Sequence, residues 1–294
     1  MSTARFTSWH VLQQFDQALG LQDTLRSGAA SAGLVAPTGL PDPAGLPARA
    51  AIVEPRPEQP SAPEVTASSL QMGAWALPTE WLLSAGEPAQ RAARLASIQA
   101  AHAAGCPHCT VATGWHNMVF GEGNPAADIL FVGEAPGETE DQLGRPFVGA
   151  AGKKLDEMIK AMGLERQQVY IANVLKTRPP DNRTPLQPEV DACGPYLVAQ
   201  ILAIRPQVIV TLGGPAAKLV LGEATGITRL RGVWREWVAP QGSDCKPIPV
   251  MPTYHPAYIL RNYTAKVRGE VWSDLKRVLE RLGRPVPGTS SQAH

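Results

Sequence analysis

Two short motifs carry residue types that could do chemistry on a flat polar ring, and the first is a glycine-bounded turn. It runs from Gly133 to Gly137 with the sequence Gly-Glu-Ala-Pro-Gly. Glycines permit a tight turn and close backbone approach, so exposed N–H groups there could bind a base edge or an anion. Glu134 and Glu140 add carboxylates that could position water. The alternative interpretation is a helix N-terminus whose acidic residues complement the helix dipole.

The second motif begins at His255, which follows an apolar run and is fixed by Pro256. A histidine placed there can donate a hydrogen bond to developing negative charge. Tyr258, Leu260 and Arg261 then join an apolar wedge to a cation. Such wedges insert into a duplex and replace a base that has been flipped out. The alternative is a capped helix start with a structural histidine.

Two residues between these motifs could recognise a ring. Phe147 lies among turn-forming residues in Gly144–Gly149 and could stack on a base, an interaction worth about 1–3 kcal/mol. Asn173 offers an amide donor and acceptor together. That pair would match the O4 and N3–H of uracil and mismatch the corresponding edge of cytosine. Each has a plainer alternative, a core phenylalanine and a buried asparagine satisfied by backbone.

The charge of the chain is balanced overall but uneven locally. A net charge of +1 excludes a globally basic nucleic-acid binder. Residues 145–183 nevertheless carry eight Lys/Arg against four Asp/Glu, and residues 255–284 carry seven against three. Local patches suffice to track phosphates. Arg178 and Arg183 flank a Pro-rich loop that could contact phosphates, although an ordinary surface loop fits equally well.

The chain contains four cysteines, and two of them form a Cys-x-x-Cys motif at Cys106 and Cys109. The N-terminus lacks a basic stretch followed by an apolar core, so no secretory signal is expected and the predicted compartment is the cytoplasm. A disulfide framework is not expected there. The motif therefore indicates metal, cluster or redox chemistry.

Alternating apolar runs and helical segments must position these residues. Four runs predict strands, at Ile129–Gly133, Val169–Val174, Val208–Leu212 and Ile248–Tyr254. The predicted helices are Arg91–Ala104, Ala150–Met162, Pro188–Ile204 and Val267–Leu282, and Trp234–Val238 is predicted to form a hairpin with Ile248–Met251. Strands alternating with helices indicate parallel βαβ units, in which ligands bind at the carboxyl ends of the strands. The strongest motifs fall at such ends.

The predicted domain organisation has four parts. Residues 1–26 form a short helical segment, residues 27–76 a Pro/Ala-rich disordered linker, residues 77–284 the folded domain and residues 285–294 a flexible tail. No apolar run approaches the roughly 18–20 residues that a membrane span needs. The expected protein is a monomer. Residues 6–25 either bind a repair-protein partner as a tethered peptide or form a helix docked on the folded body.

Taken together, the motifs resemble those of the uracil-DNA glycosylase superfamily, most of all its family 4, the iron–sulfur type. The matching segments stand in the family's order over roughly residues 90–280. They are Phe120–Pro125, Gly133–Asp141, Gly144–Gly149, Asn173–Val174, Arg178–Pro180, Asn182–Pro185 and His255–Arg261. The resemblance implies a three-layer α/β/α sandwich with a four-stranded parallel sheet. It also implies an enzyme that flips uracil out of DNA and hydrolyses its N-glycosidic bond, leaving free uracil and an abasic site.

The resemblance also implies roles for single residues. Phe147 would stack on the flipped uracil, Asn173 would read its Watson–Crick edge, and His255 would stabilise charge on O2. The remaining roles follow the same motifs: backbone contact to the base by Gly133 and Ala135, placement of water by Glu134 or Glu140, and DNA contact by Arg178, Arg183, Tyr258, Leu260 and Arg261.

The family's [4Fe–4S] cluster is implied only in part. Cys106, Cys109 and Cys193 match three of its four cysteines, and Thr177 stands at the expected position of the fourth. A [4Fe–4S] cluster usually needs four thiolates. A water, Thr177, His108 or Cys245 would have to complete the site, or the cluster is labile or absent.

Two other classes of function compete with the glycosylase. The first is a catalytically weak relative that binds DNA or a repair partner through its N-terminal peptide. The second is a nucleotide-binding α/β protein that uses the Gly133–Gly137 turn for phosphate, but no Lys-Ser/Thr pair follows the turn as in a P-loop.

Overall fold

The structure is a computed structural model that describes residues 77–84, 86–106, 109 and 114–288. The helices in these residues are α1 (Thr79–Leu82), α2 (Pro88–Gly105), α3 (Glu138–Leu143), α4 (Ala150–Ala161), α5 (Gln187–Ile204), α6 (Gly214–Leu221), α7 (Ile227–Leu230), α8 (Pro256–Arg261) and α9 (Ala265–Arg281). The strands are β1 (Glu122–Gly123), β2 (Ile129–Gly133), β3 (Tyr170–Asn173), β4 (Val208–Leu212), β5 (Arg235–Trp237) and β6 (Ile248–Thr253). Short 3₁₀ turns lie at Arg166–Gln168 and Pro180–Asn182. The segments predicted for residues 1–26 and 27–76 lie outside the described residues, so they stay predictions.

The six strands form one sheet in the order β1-β3-β2-β4-β6-β5. The four inner strands, β3, β2, β4 and β6, are mutually parallel. They confirm the predicted four-stranded parallel sheet and the α/β class. Two short strands extend it: β1 pairs antiparallel with β3, and β5 pairs antiparallel with β6 as the predicted hairpin. Glu122–Gly123 was not predicted as a strand, because two residues carry no periodicity.

Each inner strand is buried on both faces, which explains its continuous apolar run. In β2, Ile129 and Phe131 enter a core with α4 and α9, whereas Leu130 and Val132 enter a core with α2 and α5. Helices therefore cover both faces of the sheet, and the three-layer sandwich is confirmed. Beyond the predicted tail boundary, Val286 packs against the first of these cores.

The connection from β4 to β6 contains helices that the sequence analysis did not assign. α6 starts at Gly214-Pro215, a pair typical of a turn, and α7 has only four residues. Proline suits the first positions of a helix, where its missing N–H is not needed. Within the described residues, no helix combines the length and apolar character needed to cross a bilayer.

A buried carboxylate ties α9 to the end of β6. Asp274 is 1% exposed and accepts hydrogen bonds from the Thr253 hydroxyl at 2.8 Å and from the Arg231 guanidinium. Burial raises the pKa of Asp274 to about 6, against the opposing effect of the Arg231 cation. Since the segment after Thr253 carries His255, this network fixes the strand end that positions a site residue.

We predict that Arg231→Ala lowers the free energy of unfolding by about 3 kcal/mol at pH 8, because it leaves a buried carboxylate without its cation. The loss should be smaller at pH 5. The folded-state pKa of Asp274 already lies above its ordinary 3.8. It rises further without Arg231, so a proton neutralises the orphaned group at low pH. Urea unfolding at both pH values measures this.

Arg284→Ala is the matched control. Arg284 pairs with Asp128 at 2.6 Å, but both side chains are more than a third exposed, so its removal should cost only about 0.5 kcal/mol at either pH. An equal loss for the two variants, or a pH-independent loss for Arg231→Ala, would contradict the prediction.

Candidate functional site

A cleft of about 650 Å³ opens at the carboxyl ends of the parallel strands. The chain passes from β2 to β3 on one side of β2 and then to β4 on the other, so the carboxyl edge around β2 is the switch point where α/β folds bind ligands. Its walls come from segments that follow β2, β3, β4 and β6. Among them are Glu134, Ala135, Glu140, Phe147, Asn173, Arg183, Tyr258, His255 and Arg261. The structure thus brings together most of the residues that the sequence analysis singled out.

Asn173 and Gly133 form the floor of the cleft as register partners at the last rung of the β2–β3 pairing. Asn173 is 1% exposed, and its Oδ1 has no hydrogen-bond partner among the described residues. A Cβ placed on Gly133 would lie 2.3 Å from Asn173 Oδ1 and 2.5 Å from Phe147 Cζ. Glycine is therefore required here for space. An unsatisfied buried acceptor is costly, so this one is a strong indication of a ligand that donates to it.

Backbone hydrogen bonds and a buried lysine hold the main chain at Asn173. Beyond the rung, the Val174 N–H donates to the Gly133 carbonyl and the Leu175 N–H to the Glu134 carbonyl, both at 3.0 Å. The fully buried Lys176 donates from Nζ to the Asn173 carbonyl at 2.7 Å. Burial lowers the pKa of Lys176 to about 7. These contacts act on the main chain and leave the amide free for a ligand.

Phe147 is held in an uncommon backbone conformation. Its φ is +50°, in the left-handed region that non-glycine residues seldom occupy. The Arg166 guanidinium donates to the Phe147 carbonyl at 3.0 Å, and a Cβ on Gly152 would lie only 2.0 Å from that carbonyl oxygen. The Phe147 ring is 5% exposed and meets the His255 ring with centroids 5.7 Å apart. Several contacts thus hold the turn in its strained conformation, and such strain is typical of functional sites.

The two candidate carboxylates have different environments. Glu140 Oε1 accepts hydrogen bonds from the N–H groups of Val148 and Gly149, both at 2.8 Å, so it braces the turn that carries Phe147. Glu134 Oε1 is buried without a partner among the described residues. Burial raises the pKa of Glu134. Both residues line the cleft, and they differ in that one Glu140 oxygen is occupied by backbone N–H groups whereas Glu134 Oε1 is buried without such a partner.

His255 is the N-cap residue of α8, and its Nδ1 accepts a hydrogen bond from the Ala257 N–H at 3.1 Å. Burial, and secondly the Arg261 cation, lowers the pKa of His255 to about 4. The imidazole is therefore neutral near pH 7. Since Nδ1 is the acceptor, the proton lies on Nε2. The histidine therefore caps a helix, and it also lines the cleft; its role as a donor to developing negative charge stays a prediction.

The predicted DNA-contacting residues surround the mouth unevenly. Arg261 and Tyr258 line the cleft, with the Tyr258 ring 4.8 Å from that of Tyr254, and Leu260 is 42% exposed. Arg183 also lines the cleft, but both its terminal nitrogens bind the Glu189 carboxylate. Arg178 donates to the Asn182 amide at 2.8 Å and is not a wall residue. Arg183 is thus the least free of the predicted cations.

A second group lies outside the cleft and consists of three cysteines and a histidine. The Sγ atoms of Cys106, Cys109 and Cys193 and the imidazole of His102 place one donor atom each within 4.8 Å of one another. Thr177 contacts Cys109 Sγ through its hydroxyl at 3.4 Å. The donors form a group that could hold a metal ion. Cys245 is not part of it, and its thiol donates to the Lys246 carbonyl; His108 lies outside the described residues.

His102 is the functional candidate that the sequence analysis missed. It lies four residues before Cys106, near the end of α2, so the two share one face of the helix. That spacing was readable in the sequence as His-x-x-x-Cys-x-x-Cys. The predicted helix Arg91–Ala104 contains His102, but the sequence analysis assigned this residue no role.

The fold and the cleft define an α/β sandwich protein with a ligand site at the carboxyl edge of its parallel strands. A family model described as the uracil DNA glycosylase superfamily matches residues 120–276. A type-4 uracil-DNA glycosylase from Archaeoglobus fulgidus is 48% identical over 186 residues, which are 62% of this chain and 90% of the relative. One from Thermotoga maritima is 44% identical over 173 residues, 58% of this chain and 86% of the relative. A type-5 uracil-DNA glycosylase from Pyrobaculum aerophilum is 29% identical over 180 residues, 55% and 75% of the two chains.

The chain belongs to the uracil DNA glycosylase superfamily and, within it, to the type-4 uracil-DNA glycosylases.

We predict that Gly133→Ala lowers kcat/KM for the base-excision reaction by on the order of 100-fold, because the methyl group displaces the Asn173 amide or the Phe147 ring. The colliding atoms belong to side chains, so the fold should persist. Steady-state kinetics and a thermal melt measure the two effects.

Gly226→Ala is the control, because a Cβ there meets nothing within 4 Å. A Gly133→Ala enzyme with unchanged kcat/KM would show that the cleft does not need the space.

Proposed function

We propose that this chain excises uracil from DNA, with Phe147, Asn173 and His255 as the residues that hold and activate the flipped base. The reaction hydrolyses the N-glycosidic bond and leaves free uracil and an abasic site. Membership of the superfamily supports the reaction. The single observation that carries the assignment to this cleft is the buried Asn173 amide, whose Oδ1 has no partner among the described residues.

Asn173 selects the base. Its Oδ1 accepts from N3–H of uracil while its NH₂ group donates to O4. Cytosine presents an amine and a bare ring nitrogen at these positions, so both contacts fail and two buried polar groups lose their partners. A site built to hydrogen-bond a group discriminates strongly against an analogue that lacks it. Phe147 stacks on the ring, and the backbone around Gly133 and Ala135 contacts its edge.

His255 stabilises the leaving group. As the glycosidic bond breaks, the uracil ring takes up the electron pair and negative charge grows on O2. A neutral imidazole with its proton on Nε2 can donate a hydrogen bond to that oxygen without first losing a proton. The helix N–H that fixes Nδ1 as acceptor holds the ring in the required tautomer. The oxocarbenium-like sugar is stabilised by DNA phosphates and a carboxylate.

Glu134 places the attacking water at C1′. Its unpartnered oxygen and its loop position at the edge of the cleft support this role, and its raised pKa suits a group that accepts a proton from water. Glu140 acts as a positioning residue, because its Oε1 is already occupied by two backbone N–H groups of the Phe147 turn.

DNA would lie across the mouth of the cleft. Leu260, which is exposed at the end of α8, fills the gap left by the flipped nucleotide, and Arg261 and Tyr258 brace it. Arg178 contacts phosphate from the neighbouring Pro-rich loop. Arg183 first has to exchange its Glu189 partner for a phosphate, or else it orders the loop through that ion pair.

The [4Fe–4S] cluster implied by the resemblance stays a prediction, and the residues present do not fit it well. The structure brings together three thiols, with the Thr177 hydroxyl where a fourth thiol would be expected. The donor atoms also lie closer together than the corners of such a cluster allow. No step of the excision is assigned to this group.

The catalytically weak alternative retains one supporting observation, the altered fourth cysteine position at Thr177. This position is separate from the cleft, whose residues are complete. The two functions differ in one result: the weak relative binds uracil-containing DNA without releasing uracil.

We expect the chain to release uracil from a labelled oligonucleotide, detected as strand scission after alkali. His255→Ala should lower kcat by about 100-fold to 1,000-fold, because it removes a donor to the developing anion. Asn173→Ala should lower kcat/KM for uracil and also weaken discrimination against cytosine. A thymine oligonucleotide is the substrate control. Binding without scission on single- and double-stranded substrates would refute the proposed activity.

We also expect kcat/KM to show no inflection near pH 6.5. The folded-state pKa of His255 is about 4, below its ordinary 6.5, so the ring keeps its neutral, Nε2-protonated form as the pH falls to about 5. Rates measured from pH 5 to 8 test this, with His255→Gln as the comparison because glutamine does not titrate. An inflection near pH 6.5 that disappears in His255→Gln would contradict it.

A further inference from the structure

We propose that His102, Cys106, Cys109 and Cys193 bind a single tetrahedral metal ion of the zinc type, with His102 as the fourth ligand. The group lies where α2 ends and α5 passes beside it. His102 and Cys106 lie at the end of α2, and Cys193 lies in α5. All four residues are buried, as ligands of a structural ion are.

The spacing of the donor atoms fits one shared ion. A tetrahedral ion with Zn–S bonds of about 2.3 Å and a Zn–N bond of about 2.0 Å places its sulfurs about 3.8 Å from one another and about 3.5 Å from the nitrogen. Cys193 Sγ lies 3.7 Å from Cys106 Sγ and 3.9 Å from Cys109 Sγ. His102 Nε2 lies 3.3 Å from Cys109 Sγ and 3.7 Å from Cys193 Sγ.

The same spacing disagrees with a four-iron cluster. Each thiolate of such a cluster binds a different iron at a different corner, so the ligand sulfurs stand on the order of 6 Å apart. Here every pair of donor atoms lies within 4.8 Å. To admit four irons, the sulfurs would have to spread apart, and Cys193 lies on α5, which packs against α2 through the apolar side chains of the core they share.

The hydrogen bonding of His102 prepares it as a ligand. Its Nδ1 lies 2.8 Å from the thioether sulfur of Met118, which has no proton to donate. Nδ1 therefore carries the proton, and Nε2 presents its lone pair to the cysteines. A second contact that fixes the tautomer is the usual support of a metal-bound histidine. The ring of Tyr196, 4.7 Å away and edge-on, fixes its orientation.

Thr177 has a different part in this site. Its hydroxyl can donate to the Cys109 sulfur over the 3.4 Å between them, which stabilises a thiolate without coordinating the ion. On binding, the three thiols release their protons to solvent and the ion takes three thiolates and one neutral imidazole. The ion would join α5 to α2 and the segment that follows it, and Thr177 would contact the site only through its hydrogen bond, so the contribution of the ion is to stability and not to the excision step.

The test uses tag-free protein purified anaerobically from cells supplied with both iron and zinc. We expect one zinc and no acid-labile sulfide per chain, no absorbance band near about 400 nm, and X-ray absorption that shows three sulfurs and one nitrogen around zinc. Cobalt(II) exchanged into the site should give the spectrum of a tetrahedral thiolate site. Iron with equimolar sulfide, or a protein that binds neither zinc nor cobalt at stoichiometric amounts, would overturn the proposal.

Two variants locate the fourth ligand. His102→Cys should keep one zinc but replace the nitrogen by a fourth sulfur in the absorption spectrum, whereas Cys245→Ser, the matched control, should leave metal content and coordination unchanged. Chelation should lower the melting temperature of the wild type and of Cys245→Ser alike. A wild-type spectrum that lacks the outer-shell scattering of an imidazole ring would assign the position to Thr177 or water and overturn the role of His102, whether or not the variants fold.

Discussion

In the last rung of the parallel ladder between β2 and β3, Gly133 lies opposite Asn173, on the face of the sheet that α4 and α9 cover. Parallel pairing aims side chains of one rung to the same side, so a side chain on residue 133 would compete for the space of the amide. Glycine leaves that space to the Asn173 Oδ1 atom and to the edge of the Phe147 ring. The position of both side chains therefore depends on the absence of a side chain at residue 133.

The backbone of Phe147 is held from several directions because its conformation is unfavourable. A phenylalanine stays in the left-handed backbone conformation only when surrounding contacts stabilise it. Glu140 holds the N–H groups after Phe147, Arg166 holds its carbonyl, and Gly152 lets that carbonyl approach the start of α4. Residues that look catalytic in the sequence therefore divide into those that line the cleft and those that hold the backbone of the lining residues.

The sequence predicts the sheet well, since buried parallel strands appear as continuous apolar runs and β2 and β4 match their predicted bounds. It also places Asn173 and His255 at strand ends, where parallel topology brings them together. It does not predict the two-residue strand β1, which depends on pairing with β3, or the ion pair that occupies Arg183, which depends on a turn geometry. The sequence does not indicate the part of His102 in the cysteine group for a similar reason. His102 contacts Cys193, which is distant in the sequence and comes close only when α2 and α5 pack together.

Backbone hydrogen bonds continue beyond the Gly133–Asn173 rung, after both strands have ended. The Val174 and Leu175 N–H groups extend the pairing onto the loop after β2, so Asn173 stands inside a paired stretch and not at its free end. The main chain at Asn173 can therefore shift only when these hydrogen bonds open, and such opening has a free energy of its own. Protection of these two amides from hydrogen exchange would then measure how firmly the backbone beneath the Asn173 side chain is held.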